Sequence, residues 1–326
     1  MARFGAGLLR SVDRLLDAVP HRGRLLVADR RVAELHGRPI EGPHLLLDGG
    51  EASKSLATFE RVLDALVEAG IDRDGLLVAC GGGVVLDVAG FAAASYLRGI
   101  RWVALPTTLL AQVDAAHGGK TGVDHAAAKN LIGAFHPPVE VIVDTDLLRT
   151  LPERQMRGGL AEVIKHGIIG NPSLLERAGR AAPATLVEEA ALVKISIVER
   201  DPREQGERRL LNLGHTLGHA LEHASGYAIH HGEAVALGLR AACRIAEEFI
   251  GFGGRGGVEE ALDRCGLPLT APVGRAEVLS ALRHDKKRSG AELRWVLPRS
   301  VGDVCVFEGV PEDLVLRVLD GLLAVG

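Results

Sequence analysis

The stretch GLLVACGGGVVLDVAGFAAA, residues 75–94, decides the fold. Residues 75–80 form a short apolar run, Gly81, Gly82 and Gly83 interrupt it, and residues 84–94 continue apolar with only Asp87 breaking the pattern. An apolar run of this length closed by glycine reads as a buried strand, and the segment after it as a helix. Strand, glycine turn and helix N-terminus together make an anion site. Glycines let a phosphate come close, and the first backbone N–H groups of the helix point at it. A pyrophosphate-bearing cofactor is the natural occupant, although the spacing is not GxGxxG and a bare turn would use the same glycines.

Working outward, residues 24–28, 44–47, 101–105 and 140–143 are further apolar runs of strand length. Leu56, Phe59, Val62, Leu63, Leu66 and Val67 recur at helical spacing, with Gly70 as the stop. Alternation of this kind predicts a mainly parallel sheet covered on both faces. From residue 151 onward the periods are helical, over 156–169, 183–201, 213–225, 232–250, 258–265, 275–287 and 311–323, with two short strand-like runs at 293–297 and 303–307. Two domains are expected, 1–150 and 151–326, which suits a chain of 326 residues. Residues 250–258 read as a glycine-rich surface loop.

Composition narrows the function. A net charge of −4 argues against a nucleic-acid partner, and 3% aromatic residues leave few stacking platforms for single strands. Arg10, Asp13 and Arg14 interrupt the N-terminal apolar residues, so no signal peptide is read, and no apolar run approaches the ~20 residues of a membrane span. Cys80, Cys243, Cys265 and Cys305 form no CxxC pair, which points to free thiols in a reducing cytoplasm.

The second half carries a metal pattern. His215 and His219 lie four apart on one helical face. His230 and His231 open the next helix, and Glu162 sits on a third. Two imidazoles and one carboxylate with an open position make a catalytic zinc site, with ligands at ~2.0–2.2 Å. Any one of these histidines alone is more simply a surface or satisfied core residue; the cluster favours metal. Lys120, Lys129 and Lys165 sit in apolar, glycine-rich contexts that suit gripping an anion, whereas Lys286 and Lys287, flanked by Arg283 and Arg288, read as solvated charge. Asp87 and Asp114 follow strand–helix junctions and on local grounds read as helix caps.

Five blocks carry a family resemblance: GGGVVLDVAGFAAASYLRG (81–99), LPTTLLAQVDAAHGGKTGVDHAAAKNLIGAF (105–135), GLAEVIKHG (159–167), LLNLGHTLGHALE (210–222) and HGEAVALG (231–238). From about Asp48 to its end the chain resembles the 3-dehydroquinate synthases and their sugar-phosphate-cyclase relatives. The resemblance implies an N-terminal Rossmann-like parallel-sheet domain that binds NAD and a C-terminal, mostly helical metal and substrate domain, usually in a homodimer. It implies that 3-deoxy-D-arabino-heptulosonate 7-phosphate becomes 3-dehydroquinate with release of phosphate. NAD oxidises a ring alcohol, phosphate is eliminated, the ketone is reduced again, the ring opens and an internal aldol closes the carbocycle.

Carried over by motif, Glu162, His215 and His231 would hold a divalent metal, zinc or cobalt. Asp48, Glu51, Lys54, Gly82, Gly83 and Asp87 would line the NAD site, together with Thr107, Thr108, Asp114, Lys120 and Lys129. Lys120, Lys165, Lys194, Glu204, Arg208, Asn212 and His219 would serve catalysis. Asn130, Lys286 and Lys287 would bind substrate, with Arg98 reaching across the dimer interface to the phosphate. The resemblance thus assigns His215 to metal and His219 to substrate, which spacing left open.

The chain departs from the family pattern at Leu86 (usually glycine), at Ala115-Ala116-His117 (usually Ser-Ser-Val), at Asp124 (usually asparagine) and at residues 126–128, and it lacks the family's opening strand pair. A carboxylate at 124 would repel a phosphate unless Lys129 or His125 offsets it. Other readings are a cyclase of secondary metabolism (amino-dehydroquinate, deoxy-inosose or valiolone type), an NAD- and metal-dependent polyol dehydrogenase, and a degenerate NAD-binding regulator. The retained HGEAV segment favours the synthase over the heptulose cyclases, the lysines argue against a neutral polyol, and the intact Glu162, His215 and His231 argue against degeneration.

Overall fold

A computed structural model describes residues 1–126, 128–289 and 293–324, with side chains outside 284–292. Lys286 and Lys287 therefore lie outside the described side chains. The chain divides into two compact units, Met1–Pro152 and Glu153–Gly326.

The first unit comprises β1 (Ala2–Gly5), α1 (Val12–Leu16), β2 (Arg24–Asp29), α2 (Arg30–His36), β3 (His44–Leu47), α3 (Leu56–Glu68), β4 (Leu76–Gly81), α4 (Gly83–Ser95), β5 (Arg101–Pro106), β6 (Lys120–His125), β7 (Ala128–Phe135) and β8 (Glu140–Asp144). Six strands form one parallel sheet in the order β1-β8-β5-β4-β2-β3. β4, with all six residues buried, lies inside it, as expected for an aliphatic strand covered on both faces. The chain runs one way along the sheet through β2 and β3 and the other way through β4, β5 and β8. This reversal places the carboxyl end of β4 at a topological switch point, where open α/β sheets bind ligands. Beneath it Leu26, Leu76, Val78, Val103 and Ile142 pack with Val12 and Leu16 into the core.

Ser55 caps α3 by accepting from the Thr58 N–H at 3.2 Å. Val62 and Leu66 are buried, but Leu56 and Val67, which the spacing placed on the apolar face, are exposed. The antiparallel β6–β7 hairpin has no counterpart in the sequence reading, because its residues lack apolar alternation. β1 was likewise not read; it pairs with β8 from Ala2↔Val141 to Gly5↔Asp144.

The second unit comprises α5 (Glu153–Ile169), α6 (Pro172–Arg177), α7 (Val187–Arg200), α8 (His215–Ala224), α9 (His231–Ile250), α10 (Arg255–Arg264), α11 (Arg275–Ser289), the antiparallel pair β9 (Trp295–Ser300) and β10 (Asp303–Phe307), and α12 (Glu312–Asp320). α9 packs against α5, α8, α10, α12 and β9. The expected loop at 250–258 is shorter than the composition implied: α9 ends on Gly251 at φ +76°, and α10 already begins at Arg255. Among the described residues no helix is long and apolar enough to cross a membrane.

Candidate functional site

Two glycine contacts bring three helices of the second unit together. A Cβ on Gly232 would overlap the backbone of Gly158, and one on Gly238 would overlap the carbonyl of Gly214. Close approach of helix backbones needs such small residues. Gly158 lies one turn before Glu162 on α5, Gly232 follows His231 on α9, and Gly214 precedes His215 on α8. These two contacts therefore set the distances among the three side chains.

His231 Nε2 lies 3.3 Å and His215 Nε2 3.8 Å from Glu162 Oε1. Potential ligand atoms of Glu162, His215 and His231 all fall within 4.8 Å of one another. Two ligands on a tetrahedral ion at about 2.1 Å would be about 3.4 Å apart, so the spacing suits one small divalent ion. The outer nitrogens are held as well: His215 Nδ1 is 3.1 Å from the Leu213 carbonyl, and His231 Nδ1 is 3.2 Å from Glu222 Oε2. With the proton on Nδ1, each ring turns an Nε2 lone pair inward.

Electrostatics agree with the donor set. Burial, and then the charge of Lys165, hold His215 well below its usual value, which keeps it a neutral donor. Loss of hydration pulls His231 down too, but bonds to Glu162 and Glu222 outweigh it and raise the ring to about 10. A ring between two carboxylates thus sits where positive charge is favoured, and a divalent ion supplies that charge in place of a proton. Glu162 is fully buried, and its Oε2 lies 2.5 Å from Lys165 Nζ.

The remaining expected residues of this unit fall into groups. Glu204 lies in the loop after α7, and Arg208 and Asn212 in the 3-10 helical turn Glu207–Asn212 that follows it. Glu204 has φ +58°, Asn212 Nδ2 donates to Glu204 Oε1 at 2.9 Å, and the buried Arg208 donates from Nη1 to the Pro202 carbonyl at 2.6 Å. The sequence reading missed the residue that shapes this loop. Asp201 accepts from the N–H groups of Gln205, Gly206 and Arg208 at 2.9, 2.7 and 3.0 Å. Lys194 is buried on α7, which packs against α5. His219 is exposed on α8, its ring centroid 5.2 Å from that of His215 and 6.1 Å from that of His231. Glu222 was also missed, although it lies seven residues after His215 and so repeats the same helical face.

In the first unit, Gly81 ends β4 and Gly82 precedes α4. A Cβ on Gly81 would come within 2.6 Å of Val85 Cβ, and one on Gly82 within 3.1 Å of Thr108 Cγ2. The α4 N-terminus has no side-chain cap, so its N–H groups stay open to an anion. Neither Asp87 nor Asp114 caps a helix, contrary to the local reading. Asp87 lies inside α4 and accepts from Lys54 Nζ at 2.5 Å, and Asp114 lies in a π-helical turn, Ala111–Ala115. Thr107 donates its N–H to the Gly81 carbonyl at 3.0 Å, and Thr108 Oγ1 accepts from the Ala111 N–H at 3.1 Å. Lys129 pairs with Glu51 at 2.9 Å and Asp48 with Arg30 at 2.7 Å, while Lys120 and Asn130 are exposed on the hairpin. Asp124 Oδ1 accepts from the N–H of Asn130, a residue at φ +53°, at 2.8 Å. The atypical carboxylate is thus engaged by a backbone donor, an acceptor role that an asparagine oxygen also fills. Leu86 is buried in the core.

Comparison with known proteins places the chain. Residues 44–158 match the 3-dehydroquinate synthase N-terminal family model, and residues 159–288 match its C-terminal counterpart. The chain is 45% identical to the 3-dehydroquinate synthase of Xanthomonas campestris pv. campestris (strain 8004), over 96% of this chain and 93% of that protein. Its fold is similar to 2-epi-5-epi-valiolone synthase from Streptomyces hygroscopicus subsp. jinggangensis 5008, solved with NAD+ and Zn2+ (TM-score 0.91, 28% identity, 99% and 96% of the two chains). It is also similar to 2-deoxy-scyllo-inosose synthase solved with carbaglucose-6-phosphate, NAD+ and Co2+ (TM-score 0.88, 27% identity, 99% and 96%). Matched along both halves and across nearly its whole length, this chain belongs to the 3-dehydroquinate synthase family.

Proposed function

We propose that the chain is a 3-dehydroquinate synthase, a lyase that converts 3-deoxy-D-arabino-heptulosonate 7-phosphate to 3-dehydroquinate and inorganic phosphate, with NAD and a divalent metal as cofactors. One observation carries the choice among cyclases: identity of 45% to a synthase against 28% and 27% to the valiolone and inosose synthases. The same contrast supports an anionic seven-carbon sugar phosphate as substrate.

In this reading residues 1–150 bind NAD and residues 151–326 bind metal and substrate. The open α4 N-terminus and Gly82 receive the pyrophosphate, with Asp48, Glu51, Lys54, Asp87, Thr107, Thr108, Asp114 and Lys129 around it. Glu162, His215 and His231 would hold the ion, which supplies Lewis-acid polarisation of the reacting alcohol and ketone while NAD takes up and returns the hydride. Lys165 Nζ, 2.5 Å from Glu162 Oε2, pairs with that carboxylate. Lys194 and Arg208 provide cations for the substrate's anionic groups, and Lys120, Asn130 and His219 contact its polar edge. Glu204, through its bond to Asn212, orients that amide. Exposed Arg98 follows Leu97, both with left-handed backbone (φ 67° and 50°). Such strain suits a side chain held out towards a second subunit, so the working form is read as a homodimer. Four free cysteines, with burial pushing Cys80 up to about 12, suit a reducing cytoplasm.

The test is phosphate release from the seven-carbon substrate with sub-stoichiometric NAD. Equal phosphate and product without net NADH is the expected result. Net NADH without phosphate would replace the reading by a polyol dehydrogenase, and turnover of a hexose or heptulose phosphate instead would replace it by another cyclase.

A further inference from the structure

Glu222 has no role in the assignments above, yet it touches the metal set from behind. It is 3% exposed, and its Oε2 lies 3.2 Å from His231 Nδ1, while His231 Nε2 faces Glu162 Oε1 at 3.3 Å. The two nitrogens of an imidazole point away from each other, so one ion cannot take both. Glu222 therefore engages the side of the ring that the ion leaves unused. A carboxylate there fixes the tautomer and the ring rotation and makes the inward nitrogen more basic. His215 is backed differently, by the neutral Leu213 carbonyl at 3.1 Å.

The charge count points the same way. Lys165, 2.5 Å from Glu162, offsets the one negative charge among the three ligands, and a dication must still be accommodated beside it. Glu222 supplies a second negative charge without occupying a coordination position.

We propose that Glu222 is a positioning residue for His231: it holds the ring as the Nδ1–H tautomer, makes it the stronger of the two imidazole donors and lowers the free energy of the bound dication. The proposal rests on Glu162, His215 and His231 being the ligands, and the experiment separates the two ideas. Full-length protein stripped with chelator is titrated with Co2+ alone, following the visible cobalt bands, for wild type, Glu222→Gln, Glu222→Ala and His231→Ala. Glu222→Ala should weaken Co2+ binding about 10–100-fold and shift the cobalt bands. Glu222→Gln, isosteric and still an acceptor, should fall between it and wild type, and it reports even if the alanine variant folds poorly. Wild-type affinity and spectrum in both Glu222 variants, with binding lost in His231→Ala, would overturn the role of Glu222 and leave the ligand set standing. Wild-type binding in His231→Ala would sink both.

Discussion

A buried lysine beside a buried carboxylate is stable only while both charges are present. Lys165 and Glu162 are 1% and 0% exposed, so solvent does little to screen them. Replacing Lys165 with methionine leaves Glu162 facing a hydrophobic neighbour, and removing one member of such a pair costs about 3–5 kcal/mol. Urea unfolding of the metal-free variant should show that loss, and a divalent metal should restore part of it by taking over the lysine's electrostatic role. No destabilisation in the metal-free variant would mean that Glu162 is protonated or solvated there. Gly81 sets a second residue-scale limit. A methyl at that position meets Val85 Cβ at 2.6 Å, an overpacking that costs about 1–3 kcal/mol. Gly81→Ala should lower the unfolding free energy measured in urea by that amount and also weaken NAD binding, read by fluorescence titration.

Pairs of elements meet where side chains are absent. The α5–α9 crossing depends on Gly232 lying against Gly158, so Gly232→Ala should force the helices apart and pull His231 away from Glu162. Loss of both thermal stability and Co2+ affinity is expected. Gly256 on α10, with nothing within 4 Å of its added Cβ, is the control: alanine there should be neutral or stabilising by about 0.5–1 kcal/mol. A Gly232→Ala protein with unchanged cobalt affinity would show that the crossing does not set the ligand distances. The loop from Asp201 to Asn212 depends on one carboxylate. Backbone N–H groups, Gln205 first, hold Asp201 below its usual value. Because the folded value is depressed, its contribution is present above the unfolded value of about 3.9 and is lost as pH falls through the folded one. Hydrogen exchange at Gln205, Gly206 and Arg208 should therefore speed up relative to the rest of the chain in that acid window. In Asp201→Asn it should already be faster at neutral pH and without the acid step.

At the scale of the whole molecule, ion binding and folding are linked. Since the donor set spans three helices, metal at about 100 times its dissociation constant should stabilise the chain by about 2.7 kcal/mol, and chelation should lower the melting temperature with no change at the Gly81 turn. Five of the six sheet strands were legible in the sequence because aliphatic runs closed by polar residues have one plausible use. The three side chains proposed to hold the metal were named by resemblance, and they do lie within 4.8 Å of one another. Asp201 and Glu222 were not: Asp201 acts on the N–H groups of an irregular turn just after it, which no periodicity marks, and Glu222, although on the helical face of His215, acts on a ring that α9 supplies. The β6–β7 hairpin escaped because Gly122 and Gly133 face each other there with no apolar alternation. β1 escaped because four residues carry too little periodicity, and its partner in the sheet, β8, is distant: Ala2 lies opposite Val141. That pairing has a consequence for biosynthesis. β1 can bond to nothing in the sheet until β8 has emerged from the ribosome, a wait on the order of ten seconds at ordinary elongation rates. During that interval the backbone donors and acceptors of Ala2–Gly5 bond only to water, so this edge of the sheet closes last.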